Sequence, residues 1–305
     1  MATVSYPFAV GRIRALELKL IDAPRWARLR EAGREEAARL LSETGYGNGA
    51  PKDDPEAMIR AEEEETRRVI AELSPEPAWT DLFLLPIDAH NLKAAYKGKR
   101  LSQDVSRLLT EGGTVQPEIM RLSVETGEYS MLPEAFRAVL EEADHFDSLL
   151  SFSAAVDRAV FEQIRLVLKK KKNPLLSRYF SAQADFTNVL SVLRAAALKW
   201  DRETLEKVLL PGGTIPEEAF PEALASGQFI PILCKGEFSS IIQRALEDYA
   251  RDGQLVEAEK RFTQERIALL NEGQDDAFSI GPIACYLMRR ENEARELRVL
   301  FAQKT

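Results

Sequence analysis

The sequence predicts an all-α fold, because helical periodicity runs through nearly all of its 305 residues. Apolar residues recur every four positions from Phe152 to Leu168, which places them along one side of a helix. No stretch sustains for long the alternation of apolar and polar residues that marks a half-buried strand. Two short motifs also recur about a hundred residues further along the chain, as expected for a protein built from repeated units.

Composition and charge narrow the possible classes of function. The 45% apolar content is ordinary for a soluble globular protein, and no apolar run approaches the roughly 20 residues that cross a bilayer. The N-terminus has no positively charged segment followed by an apolar core, so we expect a protein that is neither exported nor membrane-embedded. The formal net charge of −8 argues against nucleic-acid binding, which depends on clustered Lys and Arg. Cys234 and Cys285 are expected to be reduced, buried thiols of a cytosolic protein.

The first motif, Asp-x-x-Asn, occurs at Asp88–Asn91 and again, 97 residues later, at Asp185–Asn188. We interpret each Asp as the N-cap of a helix that begins there, where its carboxylate accepts hydrogen bonds from the first-turn amides. The Asn three positions later would return a bond in a variant of the capping box.

The second motif, Gly-Gly-Thr, follows each Asp-x-x-Asn pair. It occurs at Gly112-Gly113-Thr114 and, 100 residues later, at Gly212-Gly213-Thr214. The glycines predict a turn that needs positive φ. We expect each Thr to cap the short helix that Pro117 or Pro216 begins.

The long helices are predicted to end near Leu73, Leu168 and Leu270. After Leu168 the basic run Lys169–Lys172 suits the negative end of a helix dipole, and docking on acidic lipid or an acidic partner is the alternative. The last helix opens at Gly281-Pro282-Ile283-Ala284 and lacks both the Asp and the Asn.

Each repeat is expected to be a helix hairpin with smaller helices, because one hairpin buries its apolar stripe only against a neighbouring unit. The predicted division is a first helical unit at 1–85 completed by the C-terminal helix, a second unit at 86–182, a third unit at 183–278 and a closing helix at 279–305.

The sequence predicts no catalytic residue, no cofactor-binding residue, no metal site and no small-molecule substrate. The phosphate cradle Gly-x-x-x-x-Gly-Lys-Ser/Thr is absent from the sequence. The histidines, His90 and His145, have no metal-ligand partner at helical spacing. Arg67 and Arg68 follow the run Glu62–Glu65 within helical reach, so we interpret these carboxylates as a solvated face.

Four segments, in order along the chain, together resemble one known family: Tyr6–Glu17 (YPFAVGRIRALE), the turn Thr44–Gly47, Leu85–Lys93 (LPIDAHNLK) and Asp185–Ala195 (DFTNVLSVLRA). They look like the C subunit of the bacterial and archaeal V/A-type ATPase, the counterpart of the d subunit of the eukaryotic V-ATPase. The resemblance spans essentially the whole chain. The C-terminal unit departs from it, because Gly281-Pro282 replaces the polar cap.

This resemblance implies three similar helical domains in a pseudo-threefold, funnel-shaped arrangement. It implies a peripheral subunit on the cytoplasmic face of the membrane that receives the shaft subunits D and F and sits on the membrane rotor ring. Such a subunit is a non-catalytic coupling in ATP-linked ion transport. The alternative from the residues alone is a free-standing helical-repeat scaffold for soluble protein partners, and an all-α enzyme using carboxylates comes third.

Four cations are candidate partner contacts. Lys97 and Arg194 are related by the same 97-residue offset and would line the funnel together with Arg12 and Arg14. The alternative is that these side chains form salt bridges between neighbouring domains.

Overall fold

The structure is a computed structural model that describes residues 4–47 and 49–304. Within these ranges the chain forms α-helices and two short 3₁₀ helices (Ser106–Leu108 and Ala143–His145) but no strand, which confirms the all-α prediction. The α-helices are α1 (Tyr6–Glu17), α2 (Ala23–Glu31), α3 (Arg34–Glu43), α4 (Pro55–Leu73), α5 (Pro77–Leu101), α6 (Pro117–Thr126), α7 (Glu134–Glu141), α8 (Leu149–Lys170), α9 (Pro174–Leu198), α10 (Arg202–Val208), α11 (Ala219–Ser226), α12 (Phe229–Leu233), α13 (Ser239–Asp252), α14 (Val256–Asn271) and α15 (Gly281–Gln303).

One compact unit combines residues 1–83 with residues 270–305. Its closing helix α15 packs against α4 and against α1. Apolar side chains of α2, α3, α4 and α15 meet in a shared core: Leu29, Ala37, Leu41, Met58, Ile59, Ala294, Leu297 and Phe301. Segments from both ends of the sequence therefore stabilise one core.

The other compact unit comprises residues 84–269. Its aromatic centre is Phe186 on α9, whose ring stacks on Phe262 at 4.4 Å and meets Phe238 edge-on at 5.5 Å between centroids. Helix α8 packs against α7, α9 and α10, and α11 packs against α9 and α12. The division at 1–85, 86–182, 183–278 and 279–305 and the pseudo-threefold funnel stay predictions.

The ends of the long helices lie where the sequence predicts, but two of their starts do not. Helices α4, α8 and α14 end at Leu73, Lys170 and Asn271. The predicted starts at Asp88 and Asp185 are wrong, because both residues lie inside helices that begin eleven residues earlier. Neither Asp is an N-cap.

Proline fixes the true starts of these helices. Pro77 and Pro174 are the first residues of α5 and α9, and Pro282 is the second residue of α15. Proline suits the first turn because it lacks an N–H that would have no partner there. The cap of α9 is Asn173, whose Oδ1 accepts a hydrogen bond from the Leu176 amide at 3.0 Å.

Both cysteines are free thiols. Cys285 is buried, as the sequence predicts, while Cys234 is half-buried. Desolvation by burial raises the pKa of both thiols, so they are less reactive than an exposed cysteine. Across the described part of the chain, we find no helix whose length and apolar character suit it to span a membrane.

Candidate functional site: the repeated loop anchors

The two repeated motifs bind one another. Asp88, inside α5, accepts three hydrogen bonds from the loop that contains the first Gly-Gly-Thr motif. Its Oδ2 accepts from the Thr114 amide at 3.0 Å and from the Thr114 hydroxyl at 2.5 Å, and its Oδ1 accepts from the Val115 amide at 3.1 Å. The Asp88 carboxylate is fully buried. Its hydrogen bonds join the middle of α5 to a loop about 26 residues further along the chain.

The same geometry recurs around Asp185 in α9. The Thr214 amide donates to Oδ1 at 3.0 Å and to Oδ2 at 2.9 Å, and the Thr214 hydroxyl donates to Oδ2 at 2.6 Å. The Ile215 amide donates to Oδ1 at 3.1 Å. We call each carboxylate with its loop a loop anchor: the Asp88 anchor (Asp88, Asn91 and 110–115) and the Asp185 anchor (Asp185, Asn188 and 210–215).

The Asn of each motif binds the start of the same loop through two reciprocal hydrogen bonds. Asn91 donates to the Thr110 carbonyl and accepts from the Thr110 amide, both at 2.8 Å. Asn188 donates to the Leu210 carbonyl at 2.9 Å and accepts from the Leu210 amide at 2.7 Å. Each Asn side chain thus pairs with both the N–H and the C=O of one loop residue, Thr110 or Leu210. This pair is the second point at which the loop is held, after the Asp carboxylate.

The two glycines of each loop have different functions. Gly112 and Gly212 adopt φ of +89° and +92°, a conformation that residues with a side chain rarely take. Gly113 and Gly213 lie against the carboxylates, where a Cβ would stand 2.1 Å from Oδ1 of Asp88 or Asp185. The predicted positive-φ turn is therefore confirmed at the first glycine, while the second permits close approach.

The expectation that the threonines cap the next helix is wrong. The N-cap of α6 is Gln116, and α11 begins only at Ala219. The hydroxyls of Thr114 and Thr214 bind the carboxylates instead. The physical reason is that a buried carboxylate needs several donors, and a threonine supplies two from one residue.

Burial dominates the electrostatics of both anchors. Desolvation raises the pKa of the Asp88 and Asp185 carboxyls above the ordinary value, while the hydrogen bonds from the loop lower it and offset part of this effect. Among the described residues, the groups that lower the two pKa values are uncharged donors of the loops. Backbone and hydroxyl dipoles therefore compensate these carboxylates.

A third buried carboxylate occupies the equivalent position of α15. Asp88 and Asp185 lie eleven residues after the prolines that open α5 and α9, and Glu293 lies eleven residues after Pro282. Glu293 is 5% exposed, and its Oε2 accepts a hydrogen bond from the Ile21 amide at 2.6 Å. It thus holds the loop before α2, and we call Glu293 with Ile21 the Glu293 anchor.

The partners of Glu293 differ from those of the two Asp residues. Arg290, 3% exposed, donates to Glu293 Oε1 at 2.6 Å and lies 3.0 Å from Glu62 Oε1. Glu62 in turn accepts from the Gly47 amide at 3.0 Å. Desolvation raises the pKa of the Glu293 carboxyl, and the neighbouring Arg290 lowers it.

Sequence comparison alone misses Glu293 because neither its residue type nor the residue three positions later repeats the Asp-x-x-Asn letters. The signal that finds it is the distance from the proline in the first turn of each helix. The interpretation of Glu62–Glu65 as a solvated face is also incomplete. It holds for Glu65, which pairs with Arg68 on the exposed side of α4, but Glu62 and Glu63 lie at 16% and 14% side-chain exposure against α15.

The four candidate partner contacts divide into two classes. Arg12 and Lys97 are exposed. Arg14 is engaged within the chain, by Glu17 at 2.8 Å and by the Gln274 carbonyl at 2.6 Å. Arg194 pairs with Glu259 at 2.5 Å. Arg12 and Lys97 are therefore accessible to a partner, whereas Arg14 and Arg194 would first have to give up their contacts within the chain.

The remaining candidates for chemistry have local contacts. His90 bonds the Leu108 carbonyl through Nε2 at 2.8 Å. His145 closes the second 3₁₀ helix. Over residues 4–47 and 49–304, no group of three His, Cys, Asp or Glu side chains is placed to hold a metal ion.

Comparison with known proteins gives a consistent result. The family model described as ATP synthase (C/AC39) subunit matches residues 9–304. The C subunit of the A-type ATP synthase of Thermococcus onnurineus is 24% identical over 97% of this chain and 85% of its own length. That of Methanocaldococcus jannaschii is 24% identical over 98% and 82%, and the C subunit of the V-type ATP synthase of Thermus thermophilus is 26% identical over 86% and 82%. The chain belongs to the ATP synthase (C/AC39) subunit family.

Proposed function

We propose that this chain is the non-catalytic central-stalk subunit of a rotary V/A-type ATPase or ATP synthase. It would couple the shaft subunits D and F to the membrane rotor ring, as a peripheral subunit on the cytoplasmic face. The observation that carries this proposal is the family match over residues 9–304, which includes all three loop anchors. The relatives that align over most of their own length are named as the C subunit of A-type or V-type ATP synthases.

The loop anchors supply a physical property that this function requires. A coupling that transmits torque must resist shear, and close-packed helices with fixed connections do so. Each Asp anchor binds its loop at two points through hydrogen bonds, several of them to a charged acceptor. Hydrogen bonds to a charged group are about twice as strong as neutral ones. The loops at 110–115 and 210–215 are therefore held stiffly against the long helices α5 and α9.

The exposed cations give a starting surface for partner contacts. Stable interfaces bury roughly 1,000 Å² or more, so each partner must cover far more than one side chain. Arg12 and Lys97 are exposed and lie on long or opening helices, α1 and α5. We place them at the rim of such interfaces, where charge mainly affects the association rate and its salt dependence.

A bridging assay tests the proposal. The shaft subunits D and F are immobilised, the detergent-solubilised ring is added, and ring retention is measured with and without this chain. We expect the ring to be retained only when the chain is present. Retention without the chain, or failure of the chain to bind either partner, contradicts the proposal.

A charge-reversal pair makes the assay more specific. Arg12→Glu combined with Lys97→Glu is expected to weaken bridging and to reduce its salt dependence. The matched control is Lys52→Glu combined with Lys235→Glu, which makes the same change of charge at two other exposed positions. Equal loss in both variants would show that net charge, rather than these two positions, determines binding.

A further inference from the structure

A cleft of about 440 Å³ lies between the C-terminal half of α8 and the N-terminal half of α9. Its walls are mainly apolar and include Phe161, Ile164, Leu168 and Phe180, and Pro211 closes it from the neighbouring loop. The volume falls within the roughly 300–1,000 Å³ range of small-molecule pockets. The cleft is therefore large enough to take a ligand chain.

The rim of this cleft is basic. Arg165, Lys169 and Lys172 all line it. Arg165 is already paired with Glu162 at 2.6 Å. Lys169 and Lys172 are exposed, and in the described part of the chain no carboxylate lies within ion-pair distance of either. Glu162 attracts Lys169 from beyond that distance. Two cations without a direct ion pair thus stand beside an apolar cavity.

The repeated fold itself does not require these lysines. The positions 97 residues earlier carry Glu72 and Pro75 in place of Lys169 and Lys172, although the Asp88 and Asp185 anchors are the same in both repeats. A helix dipole accounts for Lys169 and Lys170 in the last turn of α8, but not for Lys172 beyond it. The basic rim is therefore a feature of one repeat.

The polar groups of the lining favour a hydrocarbon chain over a peptide. The Asn173 side chain accepts from the Leu176 amide at 3.0 Å, and the Ser181 hydroxyl donates to the Gly212 carbonyl at 2.9 Å. These groups are engaged within the protein. A peptide brings an N–H and a C=O with each residue, and these would lose water without finding partners, whereas an acyl chain brings none.

We propose that this cleft binds an anionic phospholipid, with one acyl chain between α8 and α9 and the phosphate against Lys169 and Lys172. The apolar walls suit a hydrocarbon acyl chain, and the cations of the basic rim suit a negatively charged head group. The inference goes beyond the proposed function and does not depend on it, because it concerns the isolated chain.

Calorimetric titration of the full chain tests the proposal, with lysophosphatidylglycerol below its critical micelle concentration as the probe. We expect binding at least about tenfold tighter than that of the zwitterionic lysophosphatidylcholine. Glycerol 3-phosphate, which has the phosphate but no chain, should bind far more weakly. Equal binding of all three ligands, or tighter binding of an acidic peptide containing Phe, overturns the proposal.

Two variants separate the head-group contact from the chain contact. Lys169→Glu combined with Lys172→Glu should lower the affinity at least about tenfold, and Leu168→Trp, which fills the cleft, should abolish binding. Lys52→Glu combined with Lys235→Glu is the control of equal charge change and should bind as the wild type does. Circular dichroism checks folding, and the lysine variant remains decisive should Leu168→Trp not fold. Unchanged affinity in the lysine variant contradicts the proposal.

Discussion

Asp185 and Glu293 each lie eleven residues after the proline in the first turn of their helix, but the two anchors compensate a buried carboxylate differently. Asp185 is held by two backbone amides and one hydroxyl. Glu293 is held by one backbone amide and by the guanidinium of Arg290. Both anchors therefore use a buried carboxylate to bind a loop, but the groups that compensate its charge differ.

This difference determines what each anchor loses when one partner is removed. Around Asp185 the loss is one of hydrogen bonds, because no cation is involved. Around Glu293 the loss of Arg290 would leave the buried Glu293 and the part-buried Glu62 as neighbouring like charges. An uncompensated buried charge costs more than an unpaired hydrogen-bonding group.

The largest expected effect is that of Arg290→Met. Because it leaves the buried Glu293 and the part-buried Glu62 without the cation that they share, it should lower the free energy of unfolding by about 3–5 kcal/mol. The measurement is urea unfolding followed by circular dichroism, with hydrogen exchange to locate the change around α4 and α15. Adding Glu293→Gln to Arg290→Met should restore part of the loss, since it removes one of the stranded charges.

Arg68→Met is the matched control for that variant. Arg68 is exposed and pairs with Glu65 and Glu72 of its own helix. Such surface pairs contribute little to stability. If Arg68→Met and Arg290→Met destabilise the chain equally, the distinction between a buried ionic anchor and a surface pair is wrong.

The next effect concerns the anchors without a cation. Asp185→Ala leaves the amides of Thr214 and Ile215 and the Thr214 hydroxyl without their acceptor, and should cost about 3 kcal/mol. Asp88→Ala should cost the same amount, because the geometry of the two anchors matches. Hydrogen exchange should accelerate at Thr214 in the first variant and at Thr114 in the second. Unchanged exchange at these amides would show that the carboxylates do not hold the loops.

A smaller effect distinguishes the two kinds of glycine. Gly213→Ala places a Cβ against the Asp185 carboxylate and should cost about 2 kcal/mol, the usual range for overpacking. Gly227→Ala places a Cβ in open space at a φ of +69°, and should cost about 1 kcal/mol from the left-handed conformation alone. Chemical denaturation of both variants measures which one loses more free energy of unfolding, and we expect the larger loss in Gly213→Ala. The reverse order would refute the close-approach explanation.

The smallest effect is a pH dependence. Burial raises the pKa of Asp88 and Asp185 above the ordinary value of 3.8, so the folded chain binds these protons at a higher pH than the unfolded chain does. The stability of the wild type relative to Asp88→Asn/Asp185→Asn should therefore rise as the pH falls from the raised folded pKa towards 3.8. Urea titrations at several pH values measure this difference. A relative stability that falls over that window would mean that the hydrogen bonds outweigh burial.

The sequence predicts the helical class, the repeats and the helix ends, because these follow from local periodicity and from internal similarity. It does not predict that Asp88 binds Thr114, since an Asp followed by an Asn fits an N-cap as well as a buried anchor. The prolines distinguish the two interpretations: Pro77 and Pro174 open the helices, which leaves both Asp residues in mid-helix. Glu293 is missed because it is a Glu rather than an Asp and no Asn follows it three positions later, although it lies at the same distance from the first-turn proline. Its partners also differ, because it binds the Ile21 amide and the Arg290 guanidinium.

The most direct measurement of the central claim is the coupling of ATP hydrolysis to ion transport in reconstituted vesicles, with and without this chain. We expect the catalytic head to hydrolyse ATP in both cases, whereas ATP-driven ion uptake should appear only when the chain is present. Ion uptake that persists without the chain, or hydrolysis by the chain alone, would contradict the assignment of a non-catalytic coupling subunit.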